Sequence, residues 1–217
     1  MGSVIVVASS KGGCSKTTTV TALAVNLAAH GYKVAVCDSD PNQAFVRWYK
    51  TGEAPTLSVS TELDHNEIVG HLLRLGKKHD VVLCDTGGWS NQTQVFAMGA
   101  ADLVLIPVMP DRNSVVEAVR TAQQVRSVSE IARRDIPYLV LMTRWNPKGI
   151  SERAAVEDLD ASRLPRLEQH IGDLVAFQKS SFSGVMPSKG YIGAVVTRVI
   201  DELKSLGAIG PVEEAAA

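Results

Sequence analysis

Ser9-Ser10-Lys11-Gly12-Gly13-Cys14-Ser15-Lys16-Thr17-Thr18-Thr19 is the stretch that decides how this chain folds. It follows the apolar run Val4 to Ala8, which reads as a buried parallel strand, and precedes Val20 to Ala29, whose apolar spacing is that of a helix. A strand, a glycine-containing turn and a helix start make an anion site. Backbone N–H groups of the turn and the first unpaired ones of the helix converge there, and the helix dipole favours negative charge. Lys16 would neutralise the β- and γ-phosphates of a nucleotide, and the Thr17 hydroxyl would sit on Mg2+. Two lysines, two glycines and three threonines in one turn have no packing use, which separates this stretch from an ordinary strand-to-helix turn.

The common phosphate-loop pattern G-x-x-x-x-G-K-[ST] is not met, because Ser10 and Ser15 stand where its glycines belong. What fits is Lys-Gly-Gly-x-x-Lys-Thr, with the extra lysine Lys11. This resembles the deviant Walker A signature of the ParA/MinD family of ATPases, which also includes the nitrogenase iron protein and the arsenite-pump ATPases. The resemblance covers nearly the whole chain. It implies ATP and Mg2+ as ligands and a phosphate loop made of Lys11, Gly12, Gly13, Cys14, Ser15, Lys16, Thr17 and Thr18. It also implies that Lys11 crosses a homodimer interface to the phosphates held by the other subunit, as the charge stabiliser of hydrolysis. Most members carry Gly where this chain has Ser15, and a side chain there costs energy if the backbone needs positive φ.

Further along, Lys33 to Cys37 reads as a second strand ending in Asp38-Ser39-Asp40-Pro41. In an open parallel sheet that end faces the ligand crevice. Taken alone the residues also read as an Asx-Pro turn. The resemblance makes them the family's second motif, with Asp40 positioning or activating the attacking water and Asp38 supporting Mg2+ and the loop. Val81-Val82-Leu83-Cys84-Asp85-Thr86-Gly87-Gly88 places Asp85 at a strand tip, as a Walker B carboxylate close to the metal. Thr17, Asp38 and Asp85 are thus the expected metal set, and Lys11, Lys16 and Asp40 the catalytic one. Gly87 and Gly88 permit the backbone to approach the γ-phosphate and to move when it leaves. The family usually has a proline-containing turn there.

Strand and helix patterns alternate through the rest: a strand at Leu57 to Val59, a helix capped by Asp64 and running to Lys77, and helices over Asn91 to Ala100 and Val115 to Arg134. Further helices are expected over Ser151 to Ser162, Asp173 to Ser183 and Ile192 to Leu206, with strands at Leu103 to Val108, Pro137 to Met142 and Leu164 to Ile171. Such alternation predicts an α/β fold, a mainly parallel twisted sheet with helices on both faces, over a single domain 1–209 and a disordered tail 210–217. By resemblance, adenine is contacted near the end of the strand at Pro137 to Met142, where Arg144 or Asn146 serves, and near Gly184-Val185-Met186-Pro187, which adds Pro187. His65, His71 and His79 are not spaced to share one helical face and read as ordinary histidines, not metal ligands. Lys179, Lys189, Arg198 and Lys204 form either a modest basic surface for DNA phosphates or scattered solvated charges.

A chain of 217 residues with 45% hydrophobic residues can bury one sizeable core, and a net charge of −1 excludes a globally basic nucleic-acid binder. Three cysteines without CxxC argue against a disulfide framework and for reducing cytosol. No apolar segment approaches the ~20 residues of a membrane span, so a cytoplasmic protein is expected. Within the family, the absence of a basic amphipathic segment after Leu206 speaks against the membrane-binding MinD branch. Cys14, Cys37 and Cys84 lie beside nucleotide motifs, not mid-chain as a bridging iron–sulfur cluster needs. The ParA-like branch remains: an ATP-bound homodimer on non-specific DNA, released when a ParB-like partner protein stimulates hydrolysis, in DNA partition or cargo positioning and hence nucleoid-associated. The alternatives are a metabolic enzyme phosphorylating a small carboxylate, and a scaffold that binds nucleotide and hardly turns it over.

Overall fold

Val4-Ile5-Val6-Val7 has no polar side chain to turn toward water, so the strand must be covered on both faces, and all four residues are fully buried. In the computed structural model, which describes residues 1–52, 57–88, 92–172 and 175–212, this strand is β1 (Ser3–Val7). It lies within a seven-stranded sheet with β2 (Val34–Ser39), β3 (Ser58–Thr61), β4 (Val81–Thr86), β5 (Leu103–Val108), β6 (Tyr138–Trp145) and β7 (Arg166–Gly172). The spatial order is β3-β2-β4-β1-β5-β6-β7, and every pairing is parallel.

Parallel neighbours require crossovers, and helices supply them on both sides. One layer holds α1 (Lys16–Ala29), α2 (Ala44–Thr51), α7 (Val175–Ser183) and α8 (Gly190–Ser205), packed on Ile5 and Val7. The other holds α3 (Ile68–Gly76), α4 (Gln92–Ala100), α5 (Arg112–Ala132) and α6 (Ile150–Ala161), packed on Val4 and Val6. Among the described residues no helix is long and apolar enough to cross a membrane. The sheet brings the carboxyl ends of β1, β2 and β4 together, with Asp38 and Asp85 opposite each other in register. From β1 the chain crosses to β2 on one side, and from β4 it crosses back over β1 to β5 on the other, which opens a crevice at that end.

Several boundaries differ from those expected. Asp64 does act as a cap, its carboxylate accepting the Asn66 N–H at 2.8 Å, but what it caps is a run of turns, and regular helix begins only at Ile68. Ser151 does not start α6; Gly149 precedes it and the Glu152 carboxylate reaches back to the Asn146 N–H at 3.1 Å. The final helix begins at Gly190, whose φ of +66° suits glycine. The expected tail starts tethered, since the Tyr32 hydroxyl donates to the Gly210 carbonyl at 3.1 Å. Residues 213–217, like Pro55, Asn91 and Asp173, lie outside the described residues.

Phe45 anchors α2 to the sheet with no exposed surface, tilted against Trp48 at 5.6 Å between ring centroids. Truncating it leaves a cavity as well as lost burial. Phe45→Ala should therefore cost about 3–5 kcal/mol in urea denaturation with an unchanged slope.

Candidate nucleotide site

The turn between β1 and α1 is fastened at its start, once internally and once to α5. The Ser9 hydroxyl accepts the Lys11 N–H at 3.2 Å, and the Ser10 N–H donates to the Thr121 hydroxyl on α5 at 3.2 Å. Gly13 and Ser15 both take left-handed backbone, with φ of +75° and +71°. The price of a side chain at Ser15 is therefore real, roughly 1–2 kcal/mol. No side chain caps α1, which leaves its first N–H groups to the loop's concave side. Lys16 is buried, and its ammonium donates to the Lys11 carbonyl at 3.0 Å across the turn, as the Cys14 thiol does at 3.2 Å.

Two carboxylates stand at the neighbouring strand ends in unlike surroundings. Asp38 is buried but accepts the N–H groups of Asp40 and Val46, each at 3.1 Å, so it shapes the loop leading into α2. Burial raises its pKa, with those two donors working against the rise. Asp40 is half-buried and accepts the Asn42 N–H at 2.8 Å, so an Asx turn is present. Asp85 is wholly buried with neither oxygen hydrogen-bonded. Burial pushes its pKa up to about 8. The Thr17 hydroxyl and Lys16 ammonium pull the other way, yet neither closes a bond of ordinary geometry onto it. A buried, unpartnered carboxylate beside a threonine hydroxyl and a second aspartate is a donor set that fits a hard divalent cation.

The segment after β4 touches the phosphate loop directly. A Cβ on Gly88 would stand 3.1 Å from the Gly12 nitrogen and 3.2 Å from its Cα, tight enough that Gly12 would have to give by a few tenths of an ångström. Behind it the Thr86 hydroxyl donates to the Val7 carbonyl at 2.9 Å and lies 3.2 Å from the buried Gln94 amide oxygen, linking β4 to α4.

Lys11 turns away from the loop. Its ammonium meets both Asp111 oxygens, at 3.0 and 3.3 Å, and the Ser114 hydroxyl at 3.1 Å. Asp111 caps α5, accepting the Ser114 N–H at 2.9 Å. Burial pushes the Asp111 carboxyl up, but Ser114 and Lys11 together outweigh it and hold the group below the ordinary carboxylate range. Beside Lys11 and Gly12 runs a groove of 820 Å³ along α5, lined by Asn113, Glu117 and Arg120.

A second cavity of 340 Å³ opens next to the loop, lined by Ser15, Thr18, Thr19, Arg144, Phe177 and Gln178. The Thr19 hydroxyl there is buried without a partner. Of the residues expected to contact a base, Arg144 belongs to this cavity. Asn146 lies in a different one, with Gln169 and Arg198, and its side-chain oxygen accepts the Lys148 N–H at 3.2 Å. Pro187 lines neither; its neighbour Met186 reaches a third space beside Thr17 and Trp48. Of the expected basic surface, Lys204 is spent on Asp201 at 3.7 Å and on the Tyr32 ring, while Arg198 stands beside His170 and lowers its pKa, after burial. The three histidines do not converge: His71 shares a hydrogen bond with Ser60 and His79 with Ser58, while His65 packs on Phe96.

The family described as the CobQ/CobB/MinD/ParA nucleotide binding domain matches residues 5–205. Protein ParA of Rhizobium radiobacter is 34% identical over 149 residues, 66% of this chain and 65% of that protein, just under two thirds of the relative's length. The maintenance of carboxysome distribution protein A of Halothiobacillus neapolitanus is 26% identical over 208 residues, 93% of each chain. Among solved structures, a Cyanothece McdA variant in complex with ATP superposes with a TM-score of 0.79 at 17% identity, covering 100% of this chain and 99% of that one. At that identity the likeness is one of fold, and the expected parallel α/β architecture is borne out.

Three outcomes follow from the site itself. A cation must displace the Asp85 proton below about pH 8, so Mg2+ affinity should climb with pH from 6 to 8, by up to roughly tenfold per unit, and level off above; titration calorimetry reads this. The same carboxyl binds its proton more tightly folded than unfolded, so its contribution to the stability of the metal-free protein falls as pH rises from the ordinary carboxylate range to about 8. Gly88→Ala should press on Gly12 and weaken nucleotide binding, with little effect on thermal stability.

Proposed function

We propose that this chain, which belongs to the CobQ/CobB/MinD/ParA nucleotide-binding family, hydrolyses ATP with Mg2+ as a dimer that binds DNA without sequence preference. The observation that carries the proposal is the buried, unpartnered Asp85 carboxylate facing Thr17 and Lys16 at the mouth of the phosphate loop. Thr17, Asp85 and Asp38 would hold the metal. Mg2+, when bound, neutralises phosphate charge and orients the oxygens around phosphorus.

The protein's part is positioning and electrostatics. Loop N–H groups and the start of α1 bind the phosphates, and Lys16 exchanges its hold on the Lys11 carbonyl for a phosphate oxygen. Asp40, tied to Asp38 through its own N–H, orients the attacking water and can accept its proton. Arg144, Phe177 and Gln178 form the wall against which adenine rests. Lys11 leaves Asp111 and reaches the phosphates of a second copy docked along the α5 groove. A partner protein that accelerates hydrolysis would then set how long the dimer stays on DNA. Support for this branch comes from the likeness to Protein ParA and to the maintenance of carboxysome distribution protein A.

Binding of the Asp40→Ala variant to random-sequence duplex DNA, in ATP and in ADP at fixed salt, tests the reading. Tight binding in ATP alone is expected; equal or absent binding in both nucleotides overturns it and points to a small-molecule substrate. Lys11→Ala should remain able to bind ATP but fail to dimerise in light scattering, with turnover lowered by roughly 10²-fold or more. Asp111→Asn keeps the helix cap while releasing Lys11, and should dimerise at lower ATP than the wild type.

A further inference from the structure

Cys37 on β2 and Cys84 on β4 are directly opposite each other in the parallel ladder. Both thiols are free and have no exposed surface, and both belong to the core layer beneath α3 and α4. Residues paired in this way project to the same face of the sheet, so the two side chains are neighbours in one core layer. Neighbouring strands run about 4.8 Å apart, inside the roughly 4.4–6.8 Å between Cα atoms that a disulfide spans. The pair can be bridged without pulling either strand out of the sheet.

Packing does not require sulfur at these positions. One pleat earlier on the same face the equivalent places are filled by Ala35 and Val82, and residues of that kind would serve equally. The location is more telling than the composition. Each cysteine is one peptide bond before a site aspartate, Asp38 or Asp85, and the Cys84 sulfur lies 3.6 Å from the Ser39 hydroxyl between them.

We propose that Cys37 and Cys84 are a reversible dithiol–disulfide pair through which hydrogen peroxide switches the nucleotide site off. One thiol loses its proton and its sulfur attacks a peroxide oxygen; the O–O bond breaks and the departing hydroxide takes up the proton as water, leaving a sulfenic acid. The second sulfur attacks the first, the S–O bond breaks, and the oxygen leaves as water with the second thiol's proton. Two electrons pass from sulfur to peroxide, so two thiols and one peroxide give one disulfide and two waters. A small thiol reverses the bond by exchange.

Closing a bond of about 2.05 Å leaves the strands paired but turns both side chains into disulfide geometry, which shifts the backbone at the β2 and β4 ends. The strain falls on the next residue of each strand. Asp38 organises the Asp40 and Val46 N–H groups, so the loop into α2 shifts with it, and Asp85 turns away from Thr17. Because the pair is sealed, peroxide enters only when these strand ends open locally, and nucleotide bound across Asp38 and Asp85 holds them shut.

The loss of binding rests on the nucleotide-site reading; formation of the bond does not. The full chain, free of nucleotide, is treated with hydrogen peroxide, alkylated and mapped without reduction. A peptide linking Cys37 to Cys84 is expected, suppressed by Mg-ATP analogue, with affinity for that analogue falling by roughly tenfold or more and returning after dithiothreitol. In Cys37→Ala, affinity should not respond to peroxide. A map in which both residues stay alkylatable while Cys14 alone is oxidised overturns the pair. A linked peptide with unchanged affinity overturns the switch. The wild-type map decides the bond even if Cys37→Ala does not fold, and a reduced protein that binds no nucleotide counts against the site alone.

Discussion

The chain can pass from a central strand into a helix in so few residues only by reversing its backbone hand at Gly13 and again at Ser15. Everything else at this end of the molecule is placed relative to that turn. It directs the uncapped start of α1 at the crevice, folds Lys16 back over the Lys11 carbonyl, and leaves Gly12 so near the next loop that a side chain at Gly88 would press on it. A serine at the second left-handed position is tolerated because the surroundings hold it there: α5 secures Ser10, and the helix itself fixes Ser15 through the Thr19 N–H, which donates to the Ser15 carbonyl at 2.9 Å.

The same crowding divides the labour between the aspartates. Both Asp38 and Asp85 are buried at the ends of adjacent strands, where like charges oppose each other across the ladder. The protein satisfies Asp38 with backbone donors and gives Asp85 none. A buried polar group without partners costs about 1–3 kcal/mol, more if charged, and protonation relieves this below about pH 8. On the proposed reading a divalent cation would relieve it more completely, by facing both carboxylates at once. On that reading metal binding and the protonation state of Asp85 would be one equilibrium, coupled by the strand register that opposes the two aspartates.

What was legible in the sequence is what is local. Apolar runs without polar alternation announced strands covered on both faces, and the phosphate loop was readable because its parts are consecutive. Asp85 was readable because a strand tip is an address in the sequence as well as in space. Arg144 and Asn146 were indistinguishable in one dimension, since two residues apart at an irregular strand end decide which cavity a side chain enters, and the β6–β7 register shifts there. Lys11 with Asp111, and Ser10 with Thr121, are separated by 100 and 111 positions, and no periodicity points from one to the other. Cys37 and Cys84 look unrelated until the strand order makes β2 and β4 neighbours.

The Lys11 contact is weak enough to be exchanged, and that follows from where it sits. With side chains 28% and 41% exposed, the Lys11–Asp111 pair belongs among solvated ion pairs, worth roughly 0.2–1 kcal/mol. A polyphosphate brings more than one negative charge and a drier setting, so it outbids one solvated carboxylate. The departure of Lys11 also strands nothing, because Asp111 keeps the Ser114 N–H and hydroxyl as donors at the head of α5. A buried bridge in this position would lock the lysine, since breaking it would leave a charge unpaired. Holding Lys11 loosely at a helix cap keeps it ordered, pointed along the α5 groove and available to a competing anion.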